Sequence, residues 1–81
     1  MKYNNYVALI QSNNRVKYVT KVNHETKTAH WKDGEAALKM TKTAAEDLVF
    51  GLTCNGFQAV IIRTPDFMEP CNPEKEGVDN D

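Results

Sequence analysis

Residues 43–63, TAAEDLVFGLTCNGFQAVIIR, contain the signals that decide the fold. Thr43 followed by Glu46 predicts a capping box at the start of a helix. Glu46 and Asp47 would then place negative charge in the first turn, at the positive end of the helix dipole. Apolar side chains recur at helical spacing and predict one buried helix face, made by Ala45, Leu48, Val49 and Leu52.

The same segment predicts how the helix ends and which element comes next. Asn55 and Gly56 both tolerate the left-handed conformation that ends many helices. Residues 57–62 then contain a single polar side chain and finish in β-branched residues, which favours a largely shielded strand. Pro65 should end the strand, because proline has no amide hydrogen to donate to a ladder.

Two earlier segments, 3–11 and 15–23, show strand patterns and predict a hairpin. Asn13-Asn14 is the expected two-residue turn, because asparagine enters positive φ readily. That turn places Leu9 opposite Tyr18, and directly opposed residues share a sheet face. The face towards the helix would carry Val7, Leu9, Val16, Tyr18 and Val22. The outer face would carry Tyr6, Ala8, Ile10, Lys17, Val19 and Lys21.

The complete fold expected from these elements is an α+β domain over residues 1–66. An antiparallel sheet of three or four strands carries one main helix on one face, and the last strand pairs beside the first. Residues 28–32 are expected to form a short third strand, and residues 35–40 one or two helical turns. The alternative is a more irregular ββαβ domain that dimerisation completes. Residues 67–81 are expected to be an acidic, disordered tail whose start is anchored by Phe67 and Met68.

Charge is divided unevenly along the 81 residues. Residues 1–64 hold nine basic and five acidic side chains, a net of +4, whereas residues 65–81 hold one lysine and six acids, a net of −5. No apolar run approaches the roughly 20 residues of a membrane span, and the N-terminus shows no signal-peptide pattern. We therefore expect a cytoplasmic protein without membrane contact, in which Cys54 and Cys71 are thiols.

Residue types that carry chemistry do not converge in the sequence. His24 and His30 lie apart from Cys54, so no metal site of usual spacing is indicated. Cys54 ends the helix, where the dipole disfavours a thiolate, and small apolar packing is its expected role. We expect no enzymatic activity, no cofactor and no metal.

Protein association is the leading functional prediction. If Val60 and Ile62 face the helix, Ala59 and Ile61 extend an apolar patch on the outer sheet face. Such a patch is typical of a partner surface or a homodimer interface. The predicted interaction face comprises Tyr6, Ile10, Lys17, Val19, Lys21 and Ile61.

Single-stranded nucleic acid is the alternative partner. Cations interleaved with aromatic rings on one sheet face are the general recipe for that binding, since rings stack on bases and cations follow the backbone. The candidate contacts are Arg15, Lys17, Lys21 and Trp31. The modest charge of the body and the acidic tail weigh against this interpretation.

The order of motifs resembles short uncharacterised proteins encoded by phages and prophages. The resemblance runs from the hairpin through Trp31-Lys32-Asp33-Gly34, Ala37, Met40 and Ala45-Glu46 to the strand that ends the domain. Met40 stands where such sequences more often have an aromatic residue. The resemblance implies a small accessory protein without catalysis and transfers no residue-level function.

Overall fold

A computed structural model describes residues 3–73 and shows the α+β architecture expected from the sequence. The strands are β1 (Tyr3–Ile10), β2 (Val16–Tyr18), β3 (Lys21–Asn23), β4 (Thr28–His30) and β5 (Gln58–Pro65), with one helix, α1 (Lys42–Cys54), before β5. All strand pairs are antiparallel, in a three-stranded sheet of order β2-β1-β5 and a separate β3-β4 hairpin. The prediction that β1 is central, with the last strand beside it, is confirmed.

The turn between β1 and β2 has three residues and not the predicted two. The amide of Asn14 donates to Gln11 O at 2.9 Å, and the amide of Gln11 donates to Arg15 O at 2.7 Å. Asn14 has a φ of 63°, which is the left-handed residue of a three-residue loop with a bulge. Asn13 Oδ1 accepts from the Arg15 amide at 3.1 Å and fixes the turn.

This longer loop shifts the predicted register by one residue. Tyr18 pairs with Ala8 and Lys17 with Leu9. A one-residue shift moves every side chain of a strand to the other face. Val16 and Tyr18 therefore share the outer face with Ala8, whereas Lys17 lies on the helix side. The predicted single strand 15–23 is also interrupted, because β2 ends at Tyr18 and β3 begins at Lys21.

The N-cap of the helix lies two residues before the predicted one. Thr41 is the N-cap, and its Oγ1 accepts from the Ala44 amide at 3.2 Å, so the capping box at Thr43 is wrong. No acid lies in the first turn, since Glu46 and Asp47 fall in the second. The predicted end of the helix at Asn55-Gly56 is confirmed.

The helix stop has the hydrogen bonds of a Schellman motif. The amide of Gly56 donates to Thr53 O and that of Phe57 to Leu52 O, both at 3.0 Å, and Gly56 has a φ of 90°. This motif sets the point at which β5 begins.

The main core lies between the helix and the sheet. Its centre is fully or nearly fully buried and is made by Val7, Leu9, Val19, Ala45 and Leu52. Ala59 and Ile61 of β5 pack against it, together with Val22 and Ala29 from the β3-β4 hairpin. The orientation predicted for β5, with Val60 and Ile62 towards the helix, is therefore wrong. All four residues of that run are apolar, so alternation could not decide its face.

Residues 35–40 are extended, and the predicted helical turns are absent from that segment. The amide of Leu38 donates to Val19 O, and the amide of Met40 donates to Asn5 O, both at 2.9 Å. The segment thus takes the place beside β1 that β2 leaves at Tyr18. Partners elsewhere in the chain satisfy its backbone, which a helix of only one or two turns could not do as well.

After β5 the chain turns back and crosses the sheet; we call residues 66–73 the strap. The Met68 amide donates to Pro65 O at 2.9 Å, and Ala37 donates to Pro70 O at 2.8 Å. Tyr6 and Ala8, on the face opposite the helix, are fully buried. Met68, Pro70 and Asn72 of the predicted tail are therefore hydrogen bonded to the body, whereas residues 74–81 lie outside the described residues.

Candidate interaction surface

The two edges of the three-stranded sheet differ in how their backbone groups are satisfied. The Val19 amide donates to Val7 O at 2.9 Å, so the odd-numbered residues of β1 point towards β2 and the even-numbered ones towards β5. By the β1-β5 register, β5 bonds β1 through Gln58, Val60, Ile62 and Thr64. Its remaining groups, at Ala59, Ile61 and Arg63, point away from the sheet.

We call this outer side of β5 the open edge. Within residues 3–73, no strand pairs with it and no side chain bonds the backbone of Ala59, Ile61 or Arg63. Unpaired strand edges are ready-made templates for another strand, and most proteins blunt them with charges, bulges or a covering loop. The open edge is eight residues long and pairs with β1 without a bulge.

The side chains along the open edge do little to block a second strand. Arg63 is the only charged residue in β5, and its guanidinium carbon lies 4.6 Å from the ring centre of Tyr3. Tyr3 belongs to β1, so this cation–π contact directs the charge of Arg63 towards β1. The centre of the strand is the apolar run 59–62, in which Val60 is 36% exposed.

On the opposite side of the sheet, the outer side of β2, one side chain bonds the outward-pointing backbone groups of Tyr18. The Tyr18 amide donates to Asn72 Oδ1 at 2.7 Å, and Asn72 Nδ2 donates to Tyr18 O at 2.8 Å. The planar side-chain amide thus bonds Tyr18 as a neighbouring strand would. We call this side the closed edge.

Asn72 also joins the strap to the segment before the helix. Its Nδ2 donates to Lys32 O at 3.2 Å, its backbone amide donates to Glu35 O at 3.1 Å, and its carbonyl accepts from Gly34 at 3.0 Å. The residue is 1% exposed. Sequence reasoning missed it, because an Asn between Cys71 and Pro73 gives no local sign of a partner 54 residues away.

The predicted interaction face does not form a single surface. Tyr6 and Ile10 lie on the outer face, but Tyr6 is fully buried. Val19 and Ile61 pack in the helix-side core, Lys17 is on the helix side, and Lys21 belongs to the β3-β4 hairpin. The shifted β1-β2 register accounts for Lys17 and Val19, and the orientation of β5 accounts for Ile61. The break between Tyr18 and Lys21 removes Lys21 from the sheet, and Tyr6 keeps its predicted face but is buried there.

An apolar patch remains on the outer face beyond the strap. Val16 lies opposite Ile10, and Val60 lies opposite Ala8. Val16 is 40% exposed and Val60 36%. Because Val60 is in β5, this patch reaches the open edge.

The candidate nucleic-acid contacts are also separated. Lys17 Nζ bonds Asp33 Oδ1 at 3.1 Å, with both side chains about one-third exposed, so part of its charge is matched. Trp31 contacts Phe57 edge-on, with ring centres 6.4 Å apart. Arg15 lies at the hairpin turn and Lys21 pairs with His30 in the other sheet. These side chains give no single face of interleaved cations and rings.

Two depressions lie on the surface, one beside the strap and one at the start of the helix. One, of about 310 Å³, is lined by Tyr18, Thr64, Met68, Glu69 and Pro70; the other, of about 390 Å³, by Tyr3, Asn5, Lys42, Ile61 and Arg63. Beside the strap, Glu69 accepts a 2.8 Å hydrogen bond from Lys39 and thereby raises the pKa of Lys39.

The thiols and the metal-ligand residue types show no convergence in the described part of the chain. Cys54 and Cys71 are free, and both are exposed. Cys54 is therefore not the packing residue that its sequence position suggested. Over residues 3–73, no three His, Cys, Asp or Glu side chains come together as a metal site would require. The described helix is too short and too polar to cross a membrane.

Comparison with protein-family models, with curated proteins and with solved structures found no match.

Proposed function

We propose that this chain is a non-enzymatic protein-interaction module that binds a partner by strand addition at the open edge. The observation that carries the proposal is the outward-pointing backbone of Ala59, Ile61 and Arg63, in a strand that is otherwise regular. These groups have the spacing and direction that an added strand needs. Strand addition is a recurring mode of protein recognition, in which backbone hydrogen bonds supply affinity.

The side chains next to the open edge support the same mode. Val60 presents an apolar contact on the outer face, and Ile61 lies at the rim of the helix-side core. In strand addition, alternate side chains of the added strand contact the two faces of the sheet and give specificity. The outer-face patch of Val16, Ile10 and Val60 would extend the contact beyond the backbone.

The contrast with the closed edge shows that blocking is achievable in this fold. Asn72 gives Tyr18 both a donor and an acceptor, whereas nothing in the described chain does so for Ile61. An unbonded edge costs little in water, because solvent satisfies it. The cost is exposure to other strands, which is useful if a strand is the intended partner.

Two valines of similar exposure provide a matched test. Val60→Lys puts a charge beside the open edge, and Val16→Lys puts the same charge on the same face at the far side of the sheet. Lysine is a common natural blocker of strand edges. We expect partner binding by the immobilised full chain to be lost with Val60→Lys and kept with Val16→Lys.

The readout is the set of proteins retained from the lysate of the producing cell, with additional untagged chain included so that self-association is counted. Circular dichroism of each variant controls for folding. If neither a foreign protein nor the chain itself shows the Val60-sensitive pattern, the proposal is wrong.

We propose further that the module belongs to a small accessory protein of phage or prophage origin. Support comes only from the resemblance in the order of the hairpin, the Trp31 segment, the helix and the final strand. The genes beside the coding sequence test this proposal. Neighbours without phage functions would contradict it.

A further inference from the structure

We propose that the partner at the open edge is a second copy of this chain, with β5 pairing antiparallel to β5 about a two-fold axis at Ile61. This inference rests on the proposed function and names its partner. The three strands of each copy would join in one continuous sheet of six. Each copy would use the same surface, as a two-fold interface requires.

The backbone groups of β5 select this register. Phe57 already donates its amide to Leu52, and Pro65 has no amide hydrogen, so the outward donors that have no partner among residues 3–73 are those of Ala59, Ile61 and Arg63. With the axis at Ile61, Ile61 meets its own copy and Ala59 meets Arg63 of the second copy. Hydrogen-bonded antiparallel pairs exchange two bonds each, so these three pairs give about six bonds and leave no donor free.

Neighbouring registers satisfy fewer groups. Moving the axis to Val60 places Arg63 opposite Phe57 of the second copy, whose amide is already used. Moving it to Ile62 places Ala59 opposite Pro65, which cannot donate. Each neighbouring register therefore leaves one outward carbonyl of each copy without a donor, that of Arg63 or that of Ala59, whereas the Ile61 register bonds the amides and carbonyls of all three residues.

Side chains agree with the register chosen by the backbone. On the outer face, Val60 would lie opposite Ile62 of the second copy, and Gln58 opposite Thr64. Pairs of β-branched residues across a strand boundary are favourable. Arg63 would face Ala59, so no like charges meet. A strand that is complementary to itself in hydrogen bonds, side-chain pairs and charge points to self-association.

Sedimentation velocity over micromolar to millimolar concentrations tests the pairing. We expect wild type and Val16→Lys to form a dimer, and Val60→Lys to weaken it by at least about ten-fold, because the two-fold axis makes each substitution count twice. A dimer that both lysines disrupt would instead use the outer face, and a wild-type monomer throughout the range would also overturn the inference.

Amide hydrogen exchange locates the contact without a mutation. Amides of Val60, Ile62 and Thr64 bond β1 and should be protected at every concentration. Those of Ala59, Ile61 and Arg63 should become protected only as the dimer forms. Protection of these three at all dilutions would indicate an occupant from the same chain, residues 74–81 included, and would overturn the inference. Exchange that stays fast in a dimer would do the same.

A backbone variant covers the case in which Val60→Lys does not fold. N-methylation of Ile61 in the chemically synthesised chain removes a donor that makes no bond within the described monomer, residues 3–73. It should abolish the dimer and leave the circular dichroism spectrum unchanged. A persistent dimer would overturn the proposed axis. Loss of self-pairing with retained, Val60-sensitive capture of another protein would overturn this inference alone and leave the proposed function standing.

Discussion

The two edges of one three-stranded sheet solve the same chemical problem differently. At the closed edge, the Asn72 side chain donates to and accepts from Tyr18 and is itself 1% exposed. At the open edge, an eight-residue strand with an apolar centre leaves alternate backbone groups without a partner among residues 3–73. The difference shows that a single buried side-chain amide can take the place of a neighbouring strand at Tyr18, whereas β5 ends the sheet only by lacking a neighbour among the described residues.

The edges also differ in how they depend on the rest of the chain. The closed edge requires the strap, the segment 31–40 and β2 to meet at one residue. The open edge requires only that β5 lies correctly against β1 and the helix. Damage to the first should therefore cost folding stability, whereas damage to the second should cost association.

The largest expected effect on stability comes from opening the closed edge. Asn72→Ala removes three side-chain hydrogen bonds and leaves the Tyr18 amide and carbonyl without them. Because unsatisfied buried groups cost about 1–3 kcal/mol each, we expect unfolding free energy to fall by about 2–3 kcal/mol. Urea denaturation measures the change, and faster exchange of the Tyr18 amide locates it.

Two further variants sharpen that experiment. Asn72→Asp keeps an acceptor for Tyr18 but loses both donors, so it should destabilise at least as much as Asn72→Ala. Asn4→Ala removes one exposed side-chain bond to Asp66 at the start of the strap and is the matched control. A loss at Asn72 no larger than the loss at Asn4 would refute the role assigned to the closed edge.

An intermediate effect is expected where the open strand begins. Gly56 has a φ of 90°, so Gly56→Ala should reduce unfolding free energy by about 1–2 kcal/mol, since a side chain is disfavoured there. Gly51 lies inside the helix, and beyond its chain neighbours and the helix's own backbone no atom comes within 4 Å of an added Cβ. Gly51→Ala should therefore stabilise by about 0.5–1 kcal/mol, through helix propensity alone. Thermal or urea unfolding of the pair gives opposite signs if the Schellman motif fixes the start of β5.

The smallest effect concerns the ion pair beside the strap. Glu69→Gln removes the carboxylate that raises the pKa of Lys39, so an NMR titration should show that pKa moving down. A lysine whose pKa is raised in the folded state stabilises the fold at pH values below its unfolded-state pKa. This contribution is lost as the pH rises through the folded-state pKa. Any loss of melting temperature should thus be present at neutral pH and absent well above the lysine pKa.

Glu35→Gln is the control for that variant. It removes the looser Lys32–Glu35 pair, at 3.6 Å, and should leave the pKa of Lys39 unchanged. An equal shift of the Lys39 pKa in both variants would show that general surface charge, and not Glu69, is responsible.

The sequence predicted those features that local chemistry decides. Asn55 is the C-cap and Gly56 supplies the left-handed residue that ends the helix, and the apolar run after Phe57 forms the strand beside β1. The error of register at the first hairpin came from a single residue, Asn14, whose positive φ fits either a two-residue or a three-residue loop. That choice moved Val19 from the predicted surface into the core.

The candidate site was less accessible to sequence reasoning than the fold. Which backbone groups of β5 point outwards depends on its register with β1, and four consecutive apolar residues hide the face pattern. Asn72 acts through contacts distant in sequence, so no local pattern around it could indicate them. For the same reason, the helix propensity of residues 35–40 was overridden by backbone hydrogen bonds to Val19, Asn5 and the strap.

The position of Asn72 in the chain sets an order in time. During synthesis, β1 and β2 emerge early, but the side chain that closes their edge is made 54 residues after Tyr18. Until Asn72 is made, the outer backbone groups of Tyr18 in β2 lack their partner. Once β5 has formed, the open edge is exposed at the same time. Closing so long a loop is slow compared with forming a hairpin. The growing polypeptide therefore passes through a stage in which both edges of the sheet are unpaired. Chaperone dependence or aggregation during expression should be most sensitive to changes in the strap.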